Sequence, residues 1–515
     1  LLLVLVAALI WPAAASAQST AVNGTIEGNV VDASGAVMPG VTVTLTNTDT
    51  GTQRVVVTNE RGVYRALLLP LGNYDLAGEI PGFKTFEQKG IHLSAGQTVV
   101  VNITLTVGAV EETVLVTGES PMVDVGKIDL GRNLNEREVK NLPLVSRNPY
   151  NFALLQPGVT GYENPEFGVP RFSANGTLLR INYQVDGNTN TQKDRAGLRL
   201  VPMSEVMIRE VKVVTSGYAP EFGQTTGMVY NAITPSGTNR VSGSASYRFR
   251  RKNFSAFPFF FQGDKTEERK PDTKINTWTG EIGGPIVKDK LHYFAGFEST
   301  FRDLSAQRII QIAPALAQQI GLAAQPPYVP WTQIGRFTIG KVDYQINQAH
   351  RLSARFLRFT NDSPNNAGGG LSAIETTFDY LDAMNSAAAQ LISTIGNDKL
   401  NEFRAQYANR HTSRFLNEYS GTGPTVTITG VASFGKPFES AEDFKQGILQ
   451  FVDNYSWITG DHSYKFGIDA QVVYDKRAAQ ISSRYTFPTV AAYLAAKTGT
   501  NPYGYTTFSQ TIGDP

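Results

Sequence analysis

From Asn239 onward the chain alternates apolar and polar residues with a period of two. This pattern constrains the fold most, because a helix repeats every ~3.6 residues and cannot place alternate residues on one face. In residues 464–470, Tyr464, Phe466, Ile468 and Ala470 share one side, and Lys465, Gly467 and Asp469 share the other. Likewise Phe403, Ala405 and Tyr407 stand against Glu402, Arg404 and Gln406, and Gly243, Ala245, Tyr247 and Phe249 against Ser244, Ser246, Arg248 and Arg250. The stretches match the ~9–11 residues a β-strand needs to cross a bilayer. One face then suits lipid and the other a wet lumen, and Tyr293, Phe294 and Tyr455 near strand ends fit an interfacial girdle. The pattern by itself also leaves open a soluble sandwich with one solvated face, as the lesser alternative.

The first ten residues are apolar, and Ala15, Ser16 and Ala17 close an A-x-A cleavage site. Residues 1–17 therefore read as an export signal cut after Ala17, beginning without the usual initiator Met and basic segment. Beyond it no apolar run reaches the ~18 residues of a helical span, so a β-barrel is the remaining way across a membrane. The chain of 515 residues has no cysteine, which excludes disulfides, thiolate metal sites and a cysteine nucleophile. Its 46 Lys and Arg against 45 Asp and Glu leave a net charge of +1, so no global field attracts nucleic acid. His92, His292, His350, His411 and His462 are scattered singly, without metal-ligand spacing.

Between residues 24 and 107, β-branched runs (41–46, 54–58, 99–106) are separated by turn residues, as in a small antiparallel sandwich. Within it Val-Asp-Ala-Ser-Gly (31–35), Pro-Gly-Val-Thr-Val (39–43), Thr-Asn-Glu-Arg-Gly-Val-Tyr (58–64) and Pro-Leu-Gly-Asn-Tyr-Asp-Leu (70–76) resemble the carboxypeptidase regulatory-like domain. That resemblance implies a non-catalytic module of the transthyretin/Ig-like, carbohydrate-binding-like fold over residues 18–107. Residues 108–120 form a glycine-bounded linker, and residues 121–238 mix a polar helical stretch (134–140) with loops and short strands.

The junctions carry a second resemblance. Asn-Leu-Pro-Leu-Val-Ser-Arg (141–147), Leu-Leu-Gln-Pro-Gly-Val (154–159), Val-Asp-Gly (185–187), Val-Lys-Val-Val-Thr (211–215) and Tyr-Ala-Pro-Glu-Phe-Gly (218–223) look like the plug of Oar-like TonB-dependent outer-membrane receptors. Gly-Glu-Ile-Gly-Gly-Pro-Ile-Val-Lys-Asp-Lys (280–290), with Tyr293, Phe294, Phe297 and Glu298, resembles the family's early barrel. Pro235 stands where the family usually has Lys.

The resemblance implies a mainly β protein: a β-sandwich, a mixed α/β plug at 121–238, and from 239 the incomplete N-terminal part of a transmembrane antiparallel β-barrel. It places the chain in the outer membrane, with sandwich and plug on the periplasmic side. The implied partners are outer-membrane lipid, a TonB-type energy-coupling protein and an extracellular ligand: siderophore, oligosaccharide or peptide. In the family, a segment ahead of the plug pairs with TonB as an added strand. Glu112, Thr113, Val114, Leu115 and Val116 have the composition and position for it. No cofactor and no catalytic residue is expected.

A plug that must yield to a pull is expected to be polar, with Arg171, Arg180 and Arg195 among Asn and Thr. Arg248, Arg250, Arg355 and Arg404 are expected on the lumen side, solvating the channel rather than binding plug carboxylates. Residues 430–437 satisfy G-x-x-x-x-G-K, but Pro437 replaces the Mg²⁺-ligating Ser or Thr, so they read as a loop. Asp186, Asn188 and Asn190 open like a calcium loop, but Thr191 and Gly197 occupy the sixth and twelfth positions, and a turn is the better reading.

Residues 239–515 allow about a dozen strands at membrane-crossing length, against 22 in the family's barrel, so the sequence reads as a piece of a longer protein. The rival readings are a surface structural or adhesion protein without uptake, and an exported soluble sugar-binding sandwich or enzyme.

Overall fold

The computed structural model describes residues 22–108, 113–116, 129–144, 146–164, 167–168, 171–193, 197–257, 272–396, 398–438, 442–459, 462–479 and 481–511. Ala15, Ala17, Glu112 and Arg195 lie outside the described residues.

The N-terminal strands are β1 (Gly24–Asp32), β2 (Thr42–Asn47), β3 (Gln53–Val57), β4 (Val63–Leu69), β5 (Gly72–Glu79), β6 (Thr85–Leu93), β7 (Thr98–Val100) and β8 (Ile103–Leu105). A ninth, β9 (Thr113–Val116), follows. They form two packed sheets: β4-β1-β7, with β8 also on β1, and β3-β2-β5-β6-β9. Alternate residues turn inward, as β2 and β5 show in their buried Val43, Leu45, Tyr74 and Leu76. With Ile26, Val30, Ile91 and Ile103 these close a core belonging to the sandwich alone.

The next layer begins with β10 (Leu130–Leu134) and a short helix α1 (Glu136–Asn141). Asn135 starts α1 with a reciprocal cap: its side chain accepts from the Glu138 N–H, and the Glu138 carboxylate accepts from the Asn135 N–H. A small sheet follows, β11 (Val159–Gly161), β12 (Phe172–Ala174) and β13 (Thr177–Leu178). Then come β14 (Ile181–Val185), β15 (Asn188–Thr189), β16 (Glu210–Ser216) and β17 (Met228–Ile233). The main plug sheet runs β10-β16-β17-β14-β15, so β10 is an edge strand.

The wall is a nine-stranded antiparallel meander. Its first strands are β18 (Ser242–Arg250), β19 (Lys274–Val287), β20 (Leu291–Asp303), β21 (Thr332–Gln345) and β22 (His350–Asn366). β23 (Phe378–Ile395) and β24 (Lys399–Phe415) continue it; after the short β25 (Thr425–Ile428) and β26 (Ala432–Phe434), β27 (Glu442–Thr459) and β28 (His462–Ala479) complete it. Two to four residues separate β19 from β20, β21 from β22, β23 from β24 and β27 from β28, while at least eleven separate β20 from β21, β22 from β23 and β24 from β27. All tight turns thus fall at one end, as in outer-membrane barrels with short periplasmic turns.

Beyond β28, β29 (Ser482–Phe487) and β30 (Thr507–Thr511) join β25 and β26 in a separate four-stranded sheet. This sheet, packed with the long connections around Ile310, Ile320, Val329 and Phe487, accounts for the difference from the dozen strands expected. Its strands share the period of the wall without belonging to it. The wall strands from β22 onward are also longer than expected, at 17 or 18 residues.

The outward face carries Tyr247, Phe249, Trp278, Phe297, Phe403, Tyr407, Phe451, Phe466 and Ile468, all exposed. Their alternates Glu402, Arg404 and Gln406 are buried against the plug. Phe294 departs from the expected girdle: it packs on the plug core, because the pleat of β20 turns it inward.

Candidate functional site

The seat of the plug in the wall is built on two clusters of charge, the first part-buried and the second buried. Asn148 caps a 3-10 turn, Pro149–Leu155, by accepting from the Tyr150 N–H, and this fixes the preceding residue, Arg147. The Arg147 guanidinium reaches Glu205 Oε2 at 2.8 Å, within the plug, and Glu298 Oε2 at 3.0 Å, on β20 of the wall. Ser204 Oγ donates to the same Glu298 oxygen at 2.9 Å, and Arg248 on β18 reaches Glu205 at 2.8 Å. Two arginines and two glutamates, one of each from plug and wall, therefore close a latch.

The second cluster centres on Asp186, in the turn between β14 and β15. Its carboxylate accepts the Thr234 N–H at 2.9 Å and hydroxyl at 2.7 Å, and pairs with Arg355 Nε of β22 at 3.0 Å. Burial alone would push this carboxyl up, but Lys341, Arg355 and the Thr234 hydrogen bonds hold it below the usual aspartate value. Gly187 adopts φ +71°, which favours glycine, and a Cβ there would come 2.0 Å from Arg404 Nη1 and displace that guanidinium.

Wall side chains then follow the plug backbone upward. Gln406 Nε2 donates to Thr189 O at 2.8 Å, Gln450 Oε1 accepts the Thr189 N–H at 2.9 Å, and Arg410 Nη1 donates to Gln192 Oε1 at 3.0 Å. A cavity of about 680 Å³, lined by Asp129, Lys212, Glu221, Glu402, Arg404 and Lys465 among others, separates plug from β24, β27 and β28.

Two expectations need correction. Arg248 and Arg355 bind plug carboxylates rather than merely solvating a channel, because the plug brings Glu205 and Asp186 within ion-pair distance of the inner wall. Nor is the plug polar throughout. Tyr150, Tyr183 and Tyr230 pack edge-on or tilted with centroids 4.9–5.8 Å apart, and Phe337, Ile339, Leu357 and Phe359 of the wall join their core. Apolar contact fills the middle of the lumen, and charge sits around it. Arg171 and Arg180 are exposed, while the buried plug arginine is Arg199, which donates to Phe167 O and Gly168 O. Arg147 and Glu298 stand within the sequence motifs and Glu205 outside them, and nothing in the spacing of the three joins them as a set.

β9 closes one edge of the sandwich sheet. Thr113, Val114, Leu115 and Val116 pair in parallel with Thr85, Phe86, Glu87 and Gln88 of β6. Thirteen residues later β10 pairs with β16, from Leu130↔Ser216 to Leu134↔Val211. The sandwich itself rests on the tight-turn end of the wall: Asn239 N–H donates to Asp49 O at 2.8 Å and Arg351 Nη2 to Asn23 Oδ1 at 2.8 Å. Leu68 packs on Ile392 and Leu400. Ala95 touches both plug strands: its N–H donates to Glu210 Oε2 on β16 (3.0 Å), and its carbonyl accepts from Asn133 Nδ2 on β10 (2.8 Å). Among the described residues no group of His, Cys, Asp and Glu could hold a metal ion.

The sequence matches the carboxypeptidase regulatory-like domain over residues 25–106 and the outer membrane β-barrel domain over residues 233–335 and 330–510. It is 32% identical over 399 residues to the TonB-dependent transporter Oar of Myxococcus xanthus, which covers 71% of this chain and 35% of that protein. The fold resembles the outer membrane transporter YddB of Escherichia coli, with a TM-score of 0.52 at 13% identity, over 75% of this chain and 52% of that one. The chain thus spans about a third of the curated relative and about half of the solved transporter. With an outward apolar wall, an inner plug and an N-terminal sandwich, it is an outer-membrane protein and belongs to the outer-membrane β-barrel family; it carries a carboxypeptidase regulatory-like domain and is similar to the TonB-dependent transporter Oar.

Proposed function

We propose that the protein takes up a large extracellular ligand across the outer membrane, driven by a TonB-type partner that pulls on residues 112–116. The reading divides the chain into an export signal (1–17), sandwich (18–107), coupling linker (108–120), plug (121–238) and barrel wall (239–515). One observation carries it: the strand that follows the coupling segment, β10, lies at the edge of the plug sheet. A pull from the periplasm therefore loads a strand with one neighbour, β16, and leaves the β14, β16 and β17 pairings for later. Unzipping an edge breaks its hydrogen bonds in sequence rather than together.

The two latches limit what moves. Arg147 and Asp186 hold the plug to β20 and β22, so peeling back from β10 reaches the Arg147 latch before the inner strands come under load. Removal of the segment before Arg147 opens the side of the lumen next to β10 while the tyrosine core stays seated. An outer membrane has neither ATP nor an ion gradient, so the work comes from outside the barrel, through strand addition. Siderophores, oligosaccharides and peptides are the ligand classes to test.

Cells carrying the wild type or Leu115→Pro are offered a labelled ferric siderophore, an oligosaccharide and a peptide. Proline removes a strand donor, so at least one ligand should accumulate only in energised wild-type cells, with surface binding equal in both. Binding without energised uptake of any ligand would overturn the proposal in favour of an adhesion protein.

A further inference from the structure

We infer that the sandwich presents β9 in place, so that the partner's strand adds to the outer edge of β9 and extends the sandwich sheet by one more strand. This rests on the coupling role proposed above. It adds a second surface, the β6 edge, which no comparison assigns to coupling.

Three features support it. Pairing with β6 occupies one edge of β9, and backbone groups of alternate residues in a strand point to opposite edges, so half of those in β9 remain directed outward. Among the described residues no strand pairs with that outer edge, since β9 ends the order β3-β2-β5-β6-β9. The sandwich has its own core and is held to the wall at Asn239 and Arg351, so β9 is ordered at the tight-turn end of the wall before any partner arrives. A partner meeting an ordered edge does not have to freeze a free linker first.

The arrangement also routes the load. Ala95 of the sandwich bridges Asn133 on β10 and Glu210 on β16, the two strands whose pairing must open. Force on the extended sheet is thereby delivered to the β10 and β16 seam directly, as well as through the linker.

Hydrogen exchange on the wild-type full chain in detergent, with and without the purified periplasmic domain of the TonB-type partner, tests this. In the free protein the amides of residues 85–88 that face β9 should already be protected. On adding the partner, residues 113–116 should slow about tenfold or more, and residues 85–88 should stay as slow as before. Faster exchange at 85–88 on binding would mean that β9 leaves β6 to meet the partner; the inference fails and the coupling role stands. Unprotected 85–88 in the free chain would likewise overturn it. No partner-induced slowing at 113–116 would overturn the coupling role and the inference together.

Discussion

At the scale of single residues, Arg147 and Asp186 show how a plug is held by charge yet remains removable. Both pairs are largely buried, so losing Arg147 strands Glu298, while Glu205 keeps Arg248, and losing Arg355 takes the ion-pair partner from Asp186; a buried charge left unpaired in this way costs about 3–5 kcal/mol. Arg147→Ala should therefore loosen the segment around Pro149–Leu155, seen as faster hydrogen exchange and protease cleavage there. Arg147→Met with Glu298→Gln should restore part of the protection, because it removes the stranded carboxylate as well. Asp186 sets a pH dependence. Its pKa is lowered in the folded plug, so its contribution is complete above the usual aspartate range and is lost as pH falls through and below it. Protection of the Thr234 amide, taken relative to its intrinsic exchange rate at each pH, should fall on acidification in the wild type, and in Asp186→Asn should be low and unchanging across that range. Sequence alone revealed that Arg355 and Arg404 lie on the inner face, because alternation fixes the face. It could not reveal their partners, because these depend on how far the plug sits along β22 and β24.

Among elements, β10 is the point of least resistance. It is short, it has one neighbour, and Gly131 fits closely: a Cβ there would lie 2.6 Å from Val213 O. Gly131→Ala should weaken the β10 and β16 pairing by roughly 1–3 kcal/mol through forced displacement. The measurable result is faster exchange at residues 211–216 and readier entry of a bulky antibiotic, with wall assembly unchanged. Turn chemistry and period made the sandwich strands, α1 and most wall strands readable beforehand. β25, β26, β29 and β30 were not separable from wall strands, since a two-residue period reports a pleated surface and not which sheet it joins. The apolar middle of the plug was equally hidden: Tyr150, Tyr183 and Tyr230 are 80 residues apart from first to last and meet only in the folded sheet.

For the molecule as a whole, an outward face of exposed aromatics and an inner face occupied by the plug mean that the wall works only in a membrane. Among the described residues its sheet runs from β18 to β28. Unpaired backbone in lipid costs several kcal/mol per group, so an edge that lies in the bilayer has to be paired. The sandwich at the tight-turn end joins wall, plug and coupling strand, and makes the periplasmic side one connected device. In the proposed function, residues 113–116 are where the cell's energy enters. Because the chain has no cysteine, single cysteines at 113–116 can be paired in living cells against cysteines in the strand-forming region of the TonB-type partner without background. The account predicts disulfide-linked complexes from positions 113–116 and none from Ser34→Cys, in a sandwich turn remote from β9 in sequence. Absence of any link from all four positions, with the protein present in the outer membrane, would contradict it.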